Sequence, residues 1–302
     1  MIGKIFQEKF NTRSFPLLLL STIFPLHIFM STQISASTLY VFLITSVLLF
    51  YYRLLRFNDL KHAFLLGFSL GLLTLSRADA ILIIPAIIIL LKFLHKNVSI
   101  KNTIIFALTS LLIIAPMSLR NYNTFGFFYP LTISGGLNLW LGNNNDATGS
   151  RMNYVVPYKP LPDRIQDQIT SLKVSKNYEV DLDNIYKEEA RNFIINNPLK
   201  TIKLSMKKII FFWIHIYDDR IKYPLMNNIL YWGPWVILLP FFAMGFKDAI
   251  KKFRNHDLEI FLILYFTFIY SVFFVLPRYR LIVIPVYFIL SMKFFHKKFS
   301  IN

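Results

Sequence analysis

Four arginines stand where the rest of the chain keeps charge away. Arg77 sits in Ser76-Arg77-Ala78-Asp79 between two apolar runs. Arg120 ends a third run, and Arg278 and Arg280 sit in Pro277-Arg278-Tyr279-Arg280 between two more. A charge held beside a bilayer is costly, so it pairs or binds something. Arginine suits phosphate because its planar fork donates two parallel hydrogen bonds. Four such groups at helix ends would suit a lipid-linked phosphate headgroup. The plainer alternative is that each snorkels to water or pairs locally, Arg77 with Asp79 for instance.

The second chemical stretch is Gly135–Gly149, GGLNLWLGNNNDATG. Leu137, Leu139 and Leu141 alternate with Asn138 and Trp140, and a turn then runs through Gly142, Asn143, Asn144, Asn145 and Asp146. Asparagine, aspartate and glycine are turn formers, so an ordinary turn accounts for the pattern. A polar, aromatic surface for a sugar is the functional alternative, with Asn138, Trp140, Asn143 and Asp146 lining the path. Asp146 is a poor cation site by itself, having no acidic partner at ligand spacing. No two of the six histidines have metal-ligand spacing, and there is no cysteine. No Ser-His-Asp set, phosphate-binding Gly loop or dinucleotide fingerprint appears, so no cofactor is evident.

These residues must be positioned by a membrane protein. The chain has 302 residues, of which 55% are hydrophobic and 17% aromatic, and its mean hydropathy is +0.49. Such values lie far from those of a soluble domain. The net charge of +17 does not point to nucleic acid, because the basic residues fall in short loops between apolar runs. A spanning helix needs roughly 20 mostly apolar residues. About eight candidate spans result: Phe15–Met30, Thr38–Tyr52, His62–Ser76, Ala80–Leu94, Thr103–Leu119, Asn227–Phe246, Leu258–Leu276 and Leu281–Met292. The expected fold is therefore an all-α polytopic membrane protein. Residues 1–119 hold the N-terminal spans, 120–226 form an extracytoplasmic segment, and 227–302 hold the C-terminal spans.

With the N-terminus inside, sixteen lysines and arginines fall in the inside segments and three, Arg77, Arg278 and Arg280, in the short outside turns. The positive-inside rule then places both termini in the cytoplasm. The basic, apolar start reads as a retained first helix rather than a cleaved signal. Ten of the sixteen acidic residues lie between Asp146 and Asp219, within the outside segment. There Asp183 is expected to cap a helix running through Ile195, with Glu188 and Glu189 in its first turns. Asn197-Pro198 should end that helix and start another. In the second helix Leu199, Ile202, Met206, Ile210 and Trp213 share a face and Lys200, Lys203 and Lys207 another. That is an amphipathic helix suited to a membrane surface.

The order of these motifs resembles a known family. LLTLSRADAILIIPAIIIL is followed by IIAPMSLRNYNTFG, ISGGLNLWLGNNNDATG, an Asn-Pro helix leading to Trp213, and LPRYRLIVIPV. The series is similar to the polytopic GT-C glycosyltransferases related to protein mannosyltransferases and lipid A aminoarabinose transferases. The resemblance covers nearly all of the chain from Phe24 on. It implies transfer of a sugar from a polyprenyl-phosphate donor to an acceptor outside the cytoplasm, with an acidic base on the acceptor hydroxyl and cations on the leaving phosphate. Some members use a divalent metal. The family's Thr-Arg-Pro-Glu is here Ser76-Arg77-Ala78-Asp79. The family's catalytic acidic residues lie in an outer loop upstream of the region that IFPLHIFMSTQISASTLYVFLIT resembles, so no residue here matches its catalytic aspartate. The family often has Ser-Glu where this chain has Ala36-Ser37.

The expectation is a membrane glycosyltransferase, or its C-terminal portion, in the inner cell membrane. Arg77, Arg120, Arg278 and Arg280 would hold the donor phosphate, Asn138, Trp140, Asn143 and Asp146 the sugar or acceptor, and Asp79 would serve as base. The alternative is a non-catalytic membrane subunit that binds a lipid-linked sugar, with a protein partner supplying what is missing. A transporter fits less well, because no repeat or mid-membrane cluster of glycines appears.

Overall fold

The structure, a computed structural model, describes residues 1–10, 21–33, 35–149, 161–214 and 225–299. All regular elements among them are helices: α1 (Ile2–Phe10), α2 (Pro25–Ser31), α3 (Ser37–Phe57), α4 (Leu60–Ser76), α5 (Ile83–Phe93), α6 (Ile100–Phe125), α7 (Gly135–Gly142), α8 (Asp163–Thr170), α9 (Tyr178–Asn196), α10 (Pro198–Trp213), α11 (Leu225–Lys251), α12 (Asp257–Val272) and α13 (Ile284–Phe299). The all-α class follows directly. Among the described residues, three helical stretches are long and apolar enough to cross a membrane: Ser37–Phe57, Ile100–Phe125 and Gly233–Lys251. Leu60–Ser76 and Ile284–Lys293 are apolar but shorter.

Several boundaries differ from the sequence expectation, each for a local reason. The span expected at Ala80–Leu94 shortens to α5, because Ala78–Ala80 winds as a 3₁₀ turn after Arg77 leaves the helix in an extended conformation. The span expected to end at Leu119 continues to Phe125, past Arg120. The helix of Leu258–Leu276 stops at Val272, and Pro277–Ile282 form a second 3₁₀ turn. Residues 15–20 of the first expected span lie outside the described residues.

The chain divides into two compact units. The first comprises Met1–Pro116, Tyr223–Leu264 and Arg280–Asn302, and the second Met117–Lys222 and Tyr265–Tyr279. In the first, α3 packs on α4 and α11 on α13, with α1 against α3 and α13. The link from α3 to α4 is tightly specified. Asn58 closes α3 in the left-handed conformation at φ 48°, which asparagine tolerates better than most residues. Its side-chain oxygen then accepts from the Ser99 N–H at 2.9 Å and from Asn102 Nδ2 at 2.8 Å, which fixes the start of α6. Asp59 caps α4 by accepting from the His62 N–H at 2.8 Å.

Along α4, Gly67 and Gly71 face α6 so closely that an added Cβ would lie 2.5 Å from the Phe106 oxygen and 2.7 Å from Ile113 Cβ. Ser110 Oγ donates to the Gly67 carbonyl at 3.3 Å. A small-xxx-small stripe with a hydroxyl bond beside it is how helices pack where no hydrophobic drive exists between them. On α6, Ile104, Leu108, Leu111, Leu112 and Leu119 are exposed large apolar residues, as a lipid-facing helix would have.

Candidate functional site

The second unit is organised around α7 and the turn after it. An eight-residue helix has several unsatisfied N–H groups at its start, and Ser134 at the N-cap supplies no side-chain bond. The cap comes from elsewhere. Asp183, in the second turn of α9, accepts from the Gly136 N–H at 2.9 Å and from the Leu137 N–H at 3.0 Å. This corrects the expectation that Asp183 caps its own helix: α9 already begins at Tyr178, and Glu188 and Glu189 lie in its middle. Gly136 is required here, because a Cβ would come within 2.0 Å of the Asp183 backbone oxygen.

Trp140 and Asn143, expected to line a sugar path, are taken up by the interior of this unit. Trp140 is 3% exposed and packs on Tyr186 with ring centroids 5.1 Å apart, in a core with Leu141, Ile165, Ala190 and Phe274. Asn143 donates to the Leu139 and Val272 carbonyls, both at 2.8 Å. Its oxygen faces Lys208 Nζ at 3.2 Å, and that ammonium also donates to Val272 O at 3.1 Å. Asn144 donates to Trp140 O at 2.7 Å and accepts from the Asp146 N–H at 2.9 Å, so the expected turn forms through side-chain bonds. Asn138 and Asp146 stay half-buried. Among the described residues no group of three His, Asp or Glu could hold a metal ion.

Lys208 is the residue that reading the amphipathic helix missed. The apolar and lysine faces run as expected on either side of α10, with Leu199, Ile202, Met206 and Ile210 exposed. A third face, Leu204, Lys208, Phe211 and Phe212, is buried. Lys208 has the spacing of that buried face, four residues after Leu204 and three before Phe211, and this was the available signal. Burial pushes its pKa down to about 7. The Lys208 ammonium works as a clasp between the turn at Asn143 and the end of α12.

The arginines fall into different settings. In the first unit Arg77 pairs bidentately with Asp79, Nε to Oδ1 at 3.2 Å and Nη2 to Oδ2 at 2.6 Å. Tyr40 donates its hydroxyl to Asp79 Oδ1 at 3.3 Å, and its ring lies 5.2 Å from the Arg77 guanidinium carbon. The local pairing weighed above is thus present, and both Asp79 oxygens are engaged. Arg280 is 1% exposed, with its guanidinium over the Trp235 ring at 5.4 Å. Trp235 in turn stacks on Tyr287, with centroids 4.0 Å apart. Burial at this depth removes Arg280 from the surface where a headgroup would be met.

In the second unit Arg120 and Arg278 are exposed. Arg120 lies beside Asn121, whose amide donates to the Tyr129 and Leu131 carbonyls, and Ser118 Oγ donates to Pro130 O at 3.0 Å. The turn after α6 is therefore pinned by its last helical residues. The same unit holds a cleft of 430 Å³ between α8 and α9. Asp181, Glu188 and Glu189 line it, with Glu189 paired to Arg164 at 3.2 Å. Comparison with protein-family models, with curated proteins and with solved structures finds no match to this chain.

Proposed function

We propose that this chain is a polytopic protein of the inner cell membrane, with about eight spans and both termini in the cytoplasm. In this reading it works as a GT-C-type glycosyltransferase or as its C-terminal portion. It takes a polyprenyl-phosphate-linked sugar as donor, and a glycolipid, polysaccharide or protein outside the cytoplasm accepts the sugar. The observation that carries the reading is the make-up of the second unit. Two exposed arginines, Arg120 and Arg278, accompany half-buried Asn138 and Asp146 and an amphipathic helix with an exposed apolar stripe. Exposed guanidinium groups suit a phosphate, and the helix suits a bilayer surface. Arg77 and Arg280 act differently: one orders the turn between α4 and α5, and the other supports the core around Trp235.

One observation favours the second reading, a protein that binds the lipid-linked sugar without turning it over. Sugar transfer needs a base on the acceptor oxygen. Asp79, the carboxylate expected in that role, is held by Arg77 and Tyr40. Binding and transfer should therefore be measured separately on the purified chain, using labelled polyprenyl-phosphate sugars. The proposal expects binding that weakens about tenfold or more in Arg278→Ala, since a hydrogen bond to a charged group contributes about 1.5–3 kcal/mol. Transfer that survives Asp79→Asn would place the base elsewhere. Absence of binding to any lipid-linked sugar would end the reading.

A further inference from the structure

The end of the first unit opposite the Arg77 turn carries a second charged site that the glycosyl-transfer reading does not use. Its core is a set of buried carboxylates at the start of α12. Asp257 and Glu259 are both fully buried. Such groups persist in an interior only when paired and hydrogen-bonded. Asp257 Oδ2 accepts from the Tyr51 hydroxyl at 2.6 Å and lies 2.9 Å from His95 Nε2. Glu259 accepts from Lys9 Nζ at 2.5 Å and from the Tyr52 hydroxyl, and lies 3.3 Å from His256 Nδ1. Lys293 Nζ is 2.8 Å from His256 Nε2. An ammonium can only donate, so Nε2 is the acceptor and Nδ1 carries the proton toward Glu259. Asp257 Oδ2 and both Glu259 oxygens are thus taken up within the protein.

A cavity of 440 Å³ opens above them, lined by Lys9, Tyr52, Leu55, His95, Lys252, Arg254, Asn255, His256 and Lys293. Four of these are lysine or arginine and none is a carboxylate. They come from three separate places in the chain: α1, α13 and, at the mouth, the segment just after α11 that holds the exposed Lys252 and Arg254. Asp248 and Glu259 both act on Lys293. Phe253, which lies between Lys252 and Arg254 in sequence, is 46% exposed, and Leu55 is in the cavity wall. A cluster of exposed cations suits the anionic headgroups of a membrane surface.

We propose that this cavity binds a phosphate-bearing anion, with Arg254 and Lys252 gripping the phosphate at the mouth and Lys293 behind them, while Lys9 is held by Glu259. Two sources share that chemistry, the headgroup of an anionic phospholipid and free inorganic phosphate. The site belongs to the first unit, and the proposal stands whether or not the chain transfers sugar.

The test uses the full chain purified in neutral detergent. Binding of acyl-labelled phosphatidylglycerol is compared with that of phosphatidylcholine carrying the same label, with inorganic phosphate as competitor. Three variants are used: Lys252→Ala, Arg254→Ala and, as a surface-charge control, Lys61→Ala. The mouth residues are exposed, so these changes should leave melting unaltered. Expected is a preference of about tenfold or more for phosphatidylglycerol, lost in Arg254→Ala, reduced in Lys252→Ala and kept in Lys61→Ala. Binding that resists millimolar phosphate identifies the lipid headgroup as the source. Displacement of the labelled lipid, with phosphate itself bound by wild type and not by Arg254→Ala, identifies the free anion. No preference for either phosphate source over phosphatidylcholine, or an equal loss in Lys61→Ala, would overturn the proposal.

Discussion

Asp183 of α9 holds the N-terminus of α7 through the backbone of Gly136, 47 residues away in sequence, with Asp183 Oδ2 2.9 Å from the Gly136 nitrogen. The second carboxylate oxygen takes the Leu137 N–H at 3.0 Å. A negative charge on a helix N-terminus is favourable twice over, through the bonds it accepts and through the helix dipole. Asp183→Ala should therefore lower stability by about 1–3 kcal/mol, read as a fall in melting temperature. Asp183→Asn should recover part of that, since one amide oxygen still accepts. Gly136→Ala should cost at least as much as Asp183→Ala, because its Cβ meets backbone rather than a movable side chain. Equal melting in Asp183→Ala and wild type would show that the cap contributes nothing.

This pair also marks what was legible in the sequence. The Asn197-Pro198 break, the two outer faces of α10 and the turn at Asn143–Asp146 could be read, because each depends on residues close in sequence. The partner of Asp183 could not, since it comes from the start of α7, which only tertiary packing brings near. Trp140 and Asn143 were read as ligand-facing from residue type alone. Their burial depends on Tyr186, Val272 and Lys208, which no local pattern connects to them. The role of Gly67 and Gly71 depends on where Phe106 and Ile113 lie, which their spacing alone does not tell.

Gly67 and Gly71 give the second prediction. Gly67→Leu should force α4 away from α6, because the nearest obstacle is the backbone oxygen of Phe106. Overpacking of this kind costs about 1–3 kcal/mol. The measurement is the melting temperature in detergent beside Phe64→Leu, a change at an exposed position of the same helix. A Gly67→Leu protein as stable as Phe64→Leu would refute the close packing of these helices.

Lys208 gives a pH dependence. Its pKa in the folded chain is about 7, against 10.5 for a free lysine. Below pH 10.5 the unfolded lysine binds a proton, while the folded one does so only as pH falls toward 7. The unfolded state therefore holds more protons across that window, and stability rises with pH there, by at most about 1.4 kcal/mol per unit. Other groups titrate in the same range, so the readout is a difference. The melting temperature of wild type minus that of Lys208→Met should increase between pH 7 and pH 10. A difference flat in pH would mean that Lys208 keeps its proton when folded.

Orientation is testable independently of any activity. Lys96 falls in a segment assigned to the cytoplasm and Asp181 in the segment assigned outside, on the strength of sixteen inside cations against three. Reporter fusions after Lys96 and after Asp181 should report opposite sides of the membrane. The same side for both would require a different path through the bilayer.

The last prediction concerns α10. Leu199, Ile202, Met206 and Ile210 form an exposed apolar stripe, and Lys200, Lys203 and Lys207 stand beside it, also exposed. Because Ile202 and Lys203 are both exposed, burial within the protein cannot make them differ. Only the surroundings of the helix can. If the stripe rests in the headgroup boundary, it lies about 5–10 Å into the apolar region while the lysines remain in water. The chain has no cysteine, so single Ile202→Cys and Lys203→Cys variants can be spin-labelled without background. In reconstituted vesicles, the label at 202 should be relaxed more strongly by a lipid-soluble quencher. The label at 203 should respond more to a water-soluble one. In detergent-free nanodiscs of smaller diameter the ordering should persist, because it depends on depth and not on curvature. Equal responses at both positions would mean that α10 stands clear of the bilayer, and the stripe would then need another partner.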